Sequence, residues 1–252
     1  MNYIKSPNLP ENQVKIAIID CLAGEYACEL DRLGIKVIPT QRIDNIDVHI
    51  STHPDMQICH VGKSCFFTMN DTEEYYKEKI EELTGRTLCE LFNNVYTYKI
   101  YEPQVSYPRD CKLNSVVTNR WVITHKDNDL YDHLDISLIK SNQGYAKCST
   151  CVVSDEAIIT ADLGIAKSAV NFGLDVCIVT NNSIRLQGYS NGFIGGTCGK
   201  ISKDTIAFFG NVKTHPDSDK IISFCKNHGV ECISLSNSTL CDYGSLIPII
   251  DE

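Results

Sequence analysis

Five short polar blocks hold most of the residues able to do chemistry. They are THPDMQICHVG (52–62), YPRDCKLNSVV (107–117), GYAKCSTCVV (144–153), GYSNGFIGGTCG (188–199) and LCDYGSLIPI (240–249). Within them stand His53 and Asp55, Arg109 and Asp110, Tyr145 and Lys147, Asn191, and Cys241 beside Asp242. Carboxylates and a cysteine in one pocket suit a cationic, planar substrate, because a guanidinium or amidinium offers paired N–H donors that a carboxylate accepts in fork geometry. A thiolate then attacks the central carbon while a general acid assists the leaving amine. In such a site Asp55 and Asp110 anchor the cation, Cys241 attacks and His53 serves as acid or base. The expected catalytic set is therefore Cys241, His53 and Asp110, with Asp55, Arg109, Tyr145, Lys147, Asn191 and Asp242 around the substrate.

Other reactive patterns carry less. Cys148-Ser-Thr-Cys151 is the only CxxC and runs into Val152 and Val153, so it reads as extended. On a strand its two thiols face opposite ways, which suits neither zinc nor a disulfide, and a redox role for the pair ranks below the other readings. His49 and His53 are spaced i, i+4, but Val48, Ile50 and Pro54 favour an extended chain there. GFIGGTCGK (192–200) lacks the first glycine and the final Ser or Thr of a phosphate loop and reads as a tight turn where backbones approach closely. No metal or cofactor is expected. The triplet His215-Pro216-Asp217 repeats His53-Pro54-Asp55 but reads as helix-start chemistry at a different place in the chain.

The elements that must position these blocks recur. Apolar strands KSCFFT (63–68), RWVIT (120–124), EAIIT (156–160) and DTIAFFG (204–210) are each followed by a helix-like segment, at 71–85, 127–134, 162–173 and 216–229. Second strands NVYTYKI, DISLIK, LDVCIVT and VECISLS follow, rich in β-branched and aromatic residues. KIAIID (15–20), 24–34 and IKVIPT (35–40) have the same order, which makes five β-α-β units. The last block has no following strand of its own, and KIAIID can supply one, closing the array into a ring. The polar blocks would then converge near the axis. A single α/β domain over 1–252 is expected, with 1–13 as an N-terminal extension.

Composition limits the partners. With 43% hydrophobic and 22% charged residues, 252 residues bury a sizeable core. A net charge of −9 without long Lys/Arg runs argues against nucleic acid. No signal-like or membrane-length apolar run occurs, and the 13 cysteines, an odd number scattered through apolar runs, read as buried thiols of a cytoplasmic protein. The partner expected is a small cationic metabolite, with a homodimer compatible.

Five such units and a cysteine in the final block resemble the pentein superfamily, the guanidino-group-modifying enzymes with a five-bladed α/β propeller. The resemblance spans roughly residues 14–250 and implies a hydrolase or deiminase-like activity on a guanidino or amidino compound. Dimethylarginine dimethylaminohydrolases and arginine deiminases carry acids that match Asp55 and Asp110 and a nucleophile that matches Cys241, and YPRDC is similar to the Phe-Thr-Arg-Asp motif of arginine deiminases. Tyr145 stands at or beside the place of the family's histidine, and Ser238-Thr239-Leu240 replaces the Gly-Gly before the nucleophile. The alternative the resemblance implies is a catalytically inactive pentein that binds a metabolite or protein.

Overall fold

The computed structural model describes residues 2–44, 46–62, 66–69, 72–87, 96–98 and 107–252. Its strands form five small sheets. After β1 (Asn2–Tyr3), β2 (Val14–Ile19) leads through α1 (Ala27–Arg32) to β3 (Lys36–Pro39), which lies parallel to β2 with Ile38 opposite Ile18. One turn of helix, α2 (Pro54–Gln57), precedes the second sheet of β4 (Ile58–His60), β5 (Phe66–Met69) and β6 (Tyr96–Tyr98), with α3 (Thr72–Thr84) between the last two. The third sheet is β7 (Val116–Val117), β8 (Trp121–His125) and β9 (Ser137–Ser141). Next, α4 (Ala146–Ser149) opens the fourth, β10 (Thr150–Ser154), β11 (Ala157–Thr160), α5 (Leu163–Phe172) and β12 (Asp175–Ile178). The fifth is β13 (Cys198–Ser202), β14 (Thr205–Phe208), α6 (Ser218–Asn227) and β15 (Glu231–Ser234). Finally β16 (Ile247–Asp251) pairs antiparallel with β2, placing Ile247 opposite Ile18, as the sequence predicts for KIAIID and the last block.

Every sheet thus has one plan, an antiparallel pair followed by a parallel crossover strand. The apolar core runs between sheets. Ile18 and Ile247 of the first meet Ile58 of the second, and Cys59 and Val61 of the second meet Val117 and Val122 of the third. Trp121 of the third packs with Ile158 of the fourth, Cys151 of the fourth with Phe208 of the fifth, and Ala207 of the fifth with Ala17 of the first.

Local chemistry explains the helix ends. Asp162 accepts a hydrogen bond from the N–H of Ile165 at 2.8 Å, and Gly173 ends α5 at φ 102°, a left-handed cap that glycine adopts without strain. Asp162→Ala should therefore cost about 1 kcal/mol in a urea titration. The helix-like reading of 127–134 is corrected: these residues form turns. Asn128 explains this, because its Oδ1 accepts the Leu130 N–H while its Nδ2 donates to the Lys112 carbonyl and Thr124 Oγ1, a turn-forming set that competes with a helix. Parts of KSCFFT (63–65), of the helix expected at 71–85 (71) and of NVYTYKI (94, 95, 99 and 100) lie outside the described residues. No helix among the described residues is long and apolar enough to cross a membrane.

Candidate functional site

The blocks meet through their turns. His53 is extended (φ −62°, ψ 130°) as the residue before Pro54 must be, and Pro54 occupies the first turn of α2, so Asp55 enters the helix start with its N–H on the Gly244 carbonyl. Both His-Pro-Asp triplets therefore open helices: Asp217 caps α6 while its carboxylate takes the Thr180 N–H. Only the first points its acid inward. Asp55 Oδ2 accepts hydrogen bonds from Cys148 Sγ at 2.8 Å and Ser245 Oγ at 3.1 Å, whereas its Oδ1 is buried without a partner. Burial pushes its carboxyl up to about 7 despite the Cys148 bond, and the charge of Asp242 adds to the rise.

Asp242 is held by the N–H groups of Phe193 (2.8 Å) and Gly244 (3.0 Å). Its carboxylate lies against bare glycine backbone, and a Cβ at Gly196 would overlap Asp242 Oδ1. This is the close approach that GFIGGTCGK predicts. Burial pushes Asp242 up to about 6. Between the acids stands His53, only 3% exposed, with Nδ1 4.0 Å from Asp242 Oδ1 and Nε2 3.9 Å from Asp20 Oδ2. Burial lowers it to about 3, so the ring is neutral at physiological pH, with a proton on one nitrogen and a lone pair on the other.

Two cavities share this wall. The outer, about 680 Å³, is lined by Asp20, His49, Arg185, Cys241 and Tyr243, and the inner, about 130 Å³, by Met56, Tyr145, Cys148 and Phe193. His53, Asn191 and Asp242 line both. Of the expected site residues, the structure thus brings Cys241, His53, Asn191 and Asp242 to one cavity wall. Tyr145 reaches the inner cavity, and Asp110 stands behind it, accepting the Tyr145 hydroxyl at 2.9 Å. Asp55 lies beneath Cys148 and borders neither cavity; Lys147 is buried and borders neither; Arg109 is exposed and away from both. The Cys241 thiol is half-buried, and burial raises it above the ordinary range.

Two local expectations are corrected. Residues 48–52 form turns instead of an extended chain, tied by the Ile50 N–H to Asp47 and the His53 N–H to Ile50. Cys148 is not on a strand but in α4, where Asn114 Oδ1 accepts the N–H groups of Lys147 (2.8 Å) and Cys148 (3.1 Å) and pulls the turn inward. Cys151, on β10, points instead into the apolar core. Asp20, Asn114 and Ser245 carry no expectation from the sequence, and Cys148 was expected only as part of an extended Cys-x-x-Cys. The signal for Asp20 was its place directly after the apolar run KIAII, a polar residue at a strand's end.

The profile of a family described as "Family of unknown function (DUF6873)" matches residues 18–247. The chain belongs to the DUF6873 family. No curated protein matches its sequence. Among solved structures, it is similar to an inosamine-phosphate amidinotransferase from Streptomyces griseus, with a TM-score of 0.60 and 10% identity over 99% of this chain and 97% of the other. The amidinotransferase SxtG of the saxitoxin pathway of Microseira wollei gives 0.57 and 10%, over 96% of each chain. C. jejuni agmatine deiminase with substrate bound gives 0.51 and 8%, over 96% of this chain and 95% of the other. This DUF6873 chain shares the fold of these proteins.

Proposed function

We propose that the five sheets are the blades of a five-bladed α/β propeller and that its hub binds a small guanidino or amidino cation, with Cys241 as nucleophile for C–N bond cleavage. The observation that carries the binding is the outer cavity itself. Two buried carboxylates, Asp20 and Asp242, line it, and among the described residues the only basic side chain within ion-pair distance of either is the neutral His53. Arg185 stands on the same wall, and Arg42 and Lys147 act on Asp20 and Asp242 only from beyond ion-pair distance, so both carboxylates are short of the close partner that a buried charge needs and that a ligand cation would supply. Cys241 adjoins Asp242 on the same wall, beside the aromatic faces of Tyr243 and Tyr189, which favour a planar cation. The neighbours of this fold named as amidinotransferases and agmatine deiminases act on the same chemical group.

In this reading the cation's N–H groups pair with Asp242 and Asp20. His53 takes the thiol proton, a C–S bond forms at the amidine carbon, and as the C–N bond breaks the amine leaves with the proton that His53 returns. Water then breaks the C–S bond, giving a ureido product and restoring the thiol. The eleven described cysteines are all free thiols, which supports a cytoplasmic setting. Non-catalytic binding is the second reading, favoured by the raised Cys241 thiol and by Tyr145 at or beside the place where the guanidino-modifying penteins carry a histidine.

Incubation with a panel of guanidino compounds and a haloacetamidine probe, followed by mass-spectrometric mapping, tests the reaction. The expected result is selective labelling of Cys241 with a ureido product, both lost in Cys241→Ala. Cation binding without label or product leaves the binding reading in its place.

A further inference from the structure

The inner end of the hub gathers a donor set of a different character. One imidazole nitrogen of His53, Sγ of Cys148 and a carboxylate oxygen of Asp242 all lie within 4.8 Å of one another, and all three side chains are buried. His53 Nδ1 is buried without a hydrogen-bond partner and faces Asp242 at 4.0 Å. Its other nitrogen faces Asp20 Oδ2 at 3.9 Å, the placement that puts the ring proton on Nε2 and leaves the Nδ1 lone pair directed into the cluster.

We propose that His53 Nδ1, Cys148 Sγ and Asp242 form a binding site for a divalent transition metal of the zinc class. One nitrogen, one thiolate and one carboxylate oxygen suit that ion, whose bond lengths of about 2.0–2.3 Å place tetrahedral ligands roughly 3.3–3.8 Å apart. The existing cluster reaches that spacing by closing about 1 Å. Three protein ligands leave a fourth position, and all three line the inner cavity, from which an outside ligand could fill it. The scaffold already fixes the donors. Asp242 is held by two backbone N–H groups, a Cβ at Gly244 would overlap His53, and Asn114 anchors the Cys148 turn. On binding, Cys148 gives its proton to Asp55 Oδ2, 2.8 Å away, and the thiolate becomes the ligand. This occupancy commits His53 and Asp242 to the ion, so it excludes the proton-accepting role of His53, and it rests on the hub geometry alone.

The chelator-treated full chain is titrated with Zn²⁺ and Co²⁺ without any organic ligand. One equivalent of Co²⁺ should bind with a thiolate-to-cobalt charge-transfer band. Cys148→Ser should lose that band, and Cys241→Ser and Cys151→Ser should keep it. Asp20→Asn, which leaves all three donors in place, should weaken binding roughly 10–100-fold. Circular dichroism identifies which variants are folded. No stoichiometric binding, or a band that survives in folded Cys148→Ser, overturns the proposal. Neither outcome bears on Cys241 labelling, which is measured in chelator.

Discussion

Gly196→Ala is expected to destabilise the chain by about 3 kcal/mol or more and to abolish cation binding at the hub. The added methyl would overlap both Oδ1 and Cγ of Asp242. The carboxylate cannot swing away without surrendering the Phe193 and Gly244 N–H bonds, and bonds to a charged group contribute about 1.5–3 kcal/mol each. Moving the backbone instead disturbs its neighbour, because at Gly195 too a Cβ would overlap backbone, the carbonyl oxygens of Lys147 and Thr150. Gly34→Ala is the matched control. Gly34 has φ +78° with nothing within 4 Å of the new carbon, so only backbone strain of about 1 kcal/mol is expected. Urea unfolding of both variants measures the difference, and equal losses would mean that the Gly196 contact with Asp242 carries no energy.

Acid should weaken the fold through its buried histidines. Burial holds His60, whose ring meets Tyr3 edge-on at a centroid distance of 4.7 Å, at about 3 against an ordinary value of 6.5. A folded-state value below the unfolded one gives stability that is complete above pH 6.5 and is lost progressively as pH falls toward 3. At pH 5 that loss is roughly 2 kcal/mol for His60. Asp55 and Asp242, raised to about 7 and about 6, act oppositely and gain stability as pH falls, so the wild-type curve alone does not isolate the histidine. The comparison with His60→Phe does, since phenylalanine keeps the ring contact and cannot charge. Between pH 7 and 5 the wild type should lose roughly 2 kcal/mol relative to the variant. Parallel urea-derived curves would show that His60 does not titrate in this window.

The sheet plan was legible because hydrophobic runs report burial directly, and the β16–β2 pairing followed from counting strands against blocks. Positions within blocks were less so. Cys148 reads as strand because Val152 and Val153 follow it, yet the side chain that bends it into a helical turn is Asn114, 34 residues away, a tertiary hydrogen bond with no local trace. Residues 127–134 carried a helix-like spacing, but Asn128 satisfies the backbone in another way. Asp55 and Asp110 were found as inward acids. That one is covered by Cys148 and the other by Tyr145 depends on side-chain placement across blocks, which spacing does not encode. The adjacency of Cys241 and Asp242, by contrast, is written in the chain itself, and both line the outer cavity.

In the proposed function the hub recognises positive charge on a planar C–N group. Calorimetric titration of the metal-free chain with an alkylguanidine, and with the alkylurea of the same shape, tests it most directly. The expected result is saturable binding of the guanidine that falls at least about tenfold in Asp242→Asn, a loss of roughly 1.4 kcal/mol or more, and no binding of the urea. Equal binding of the two compounds, or guanidine binding untouched by Asp242→Asn, would contradict it.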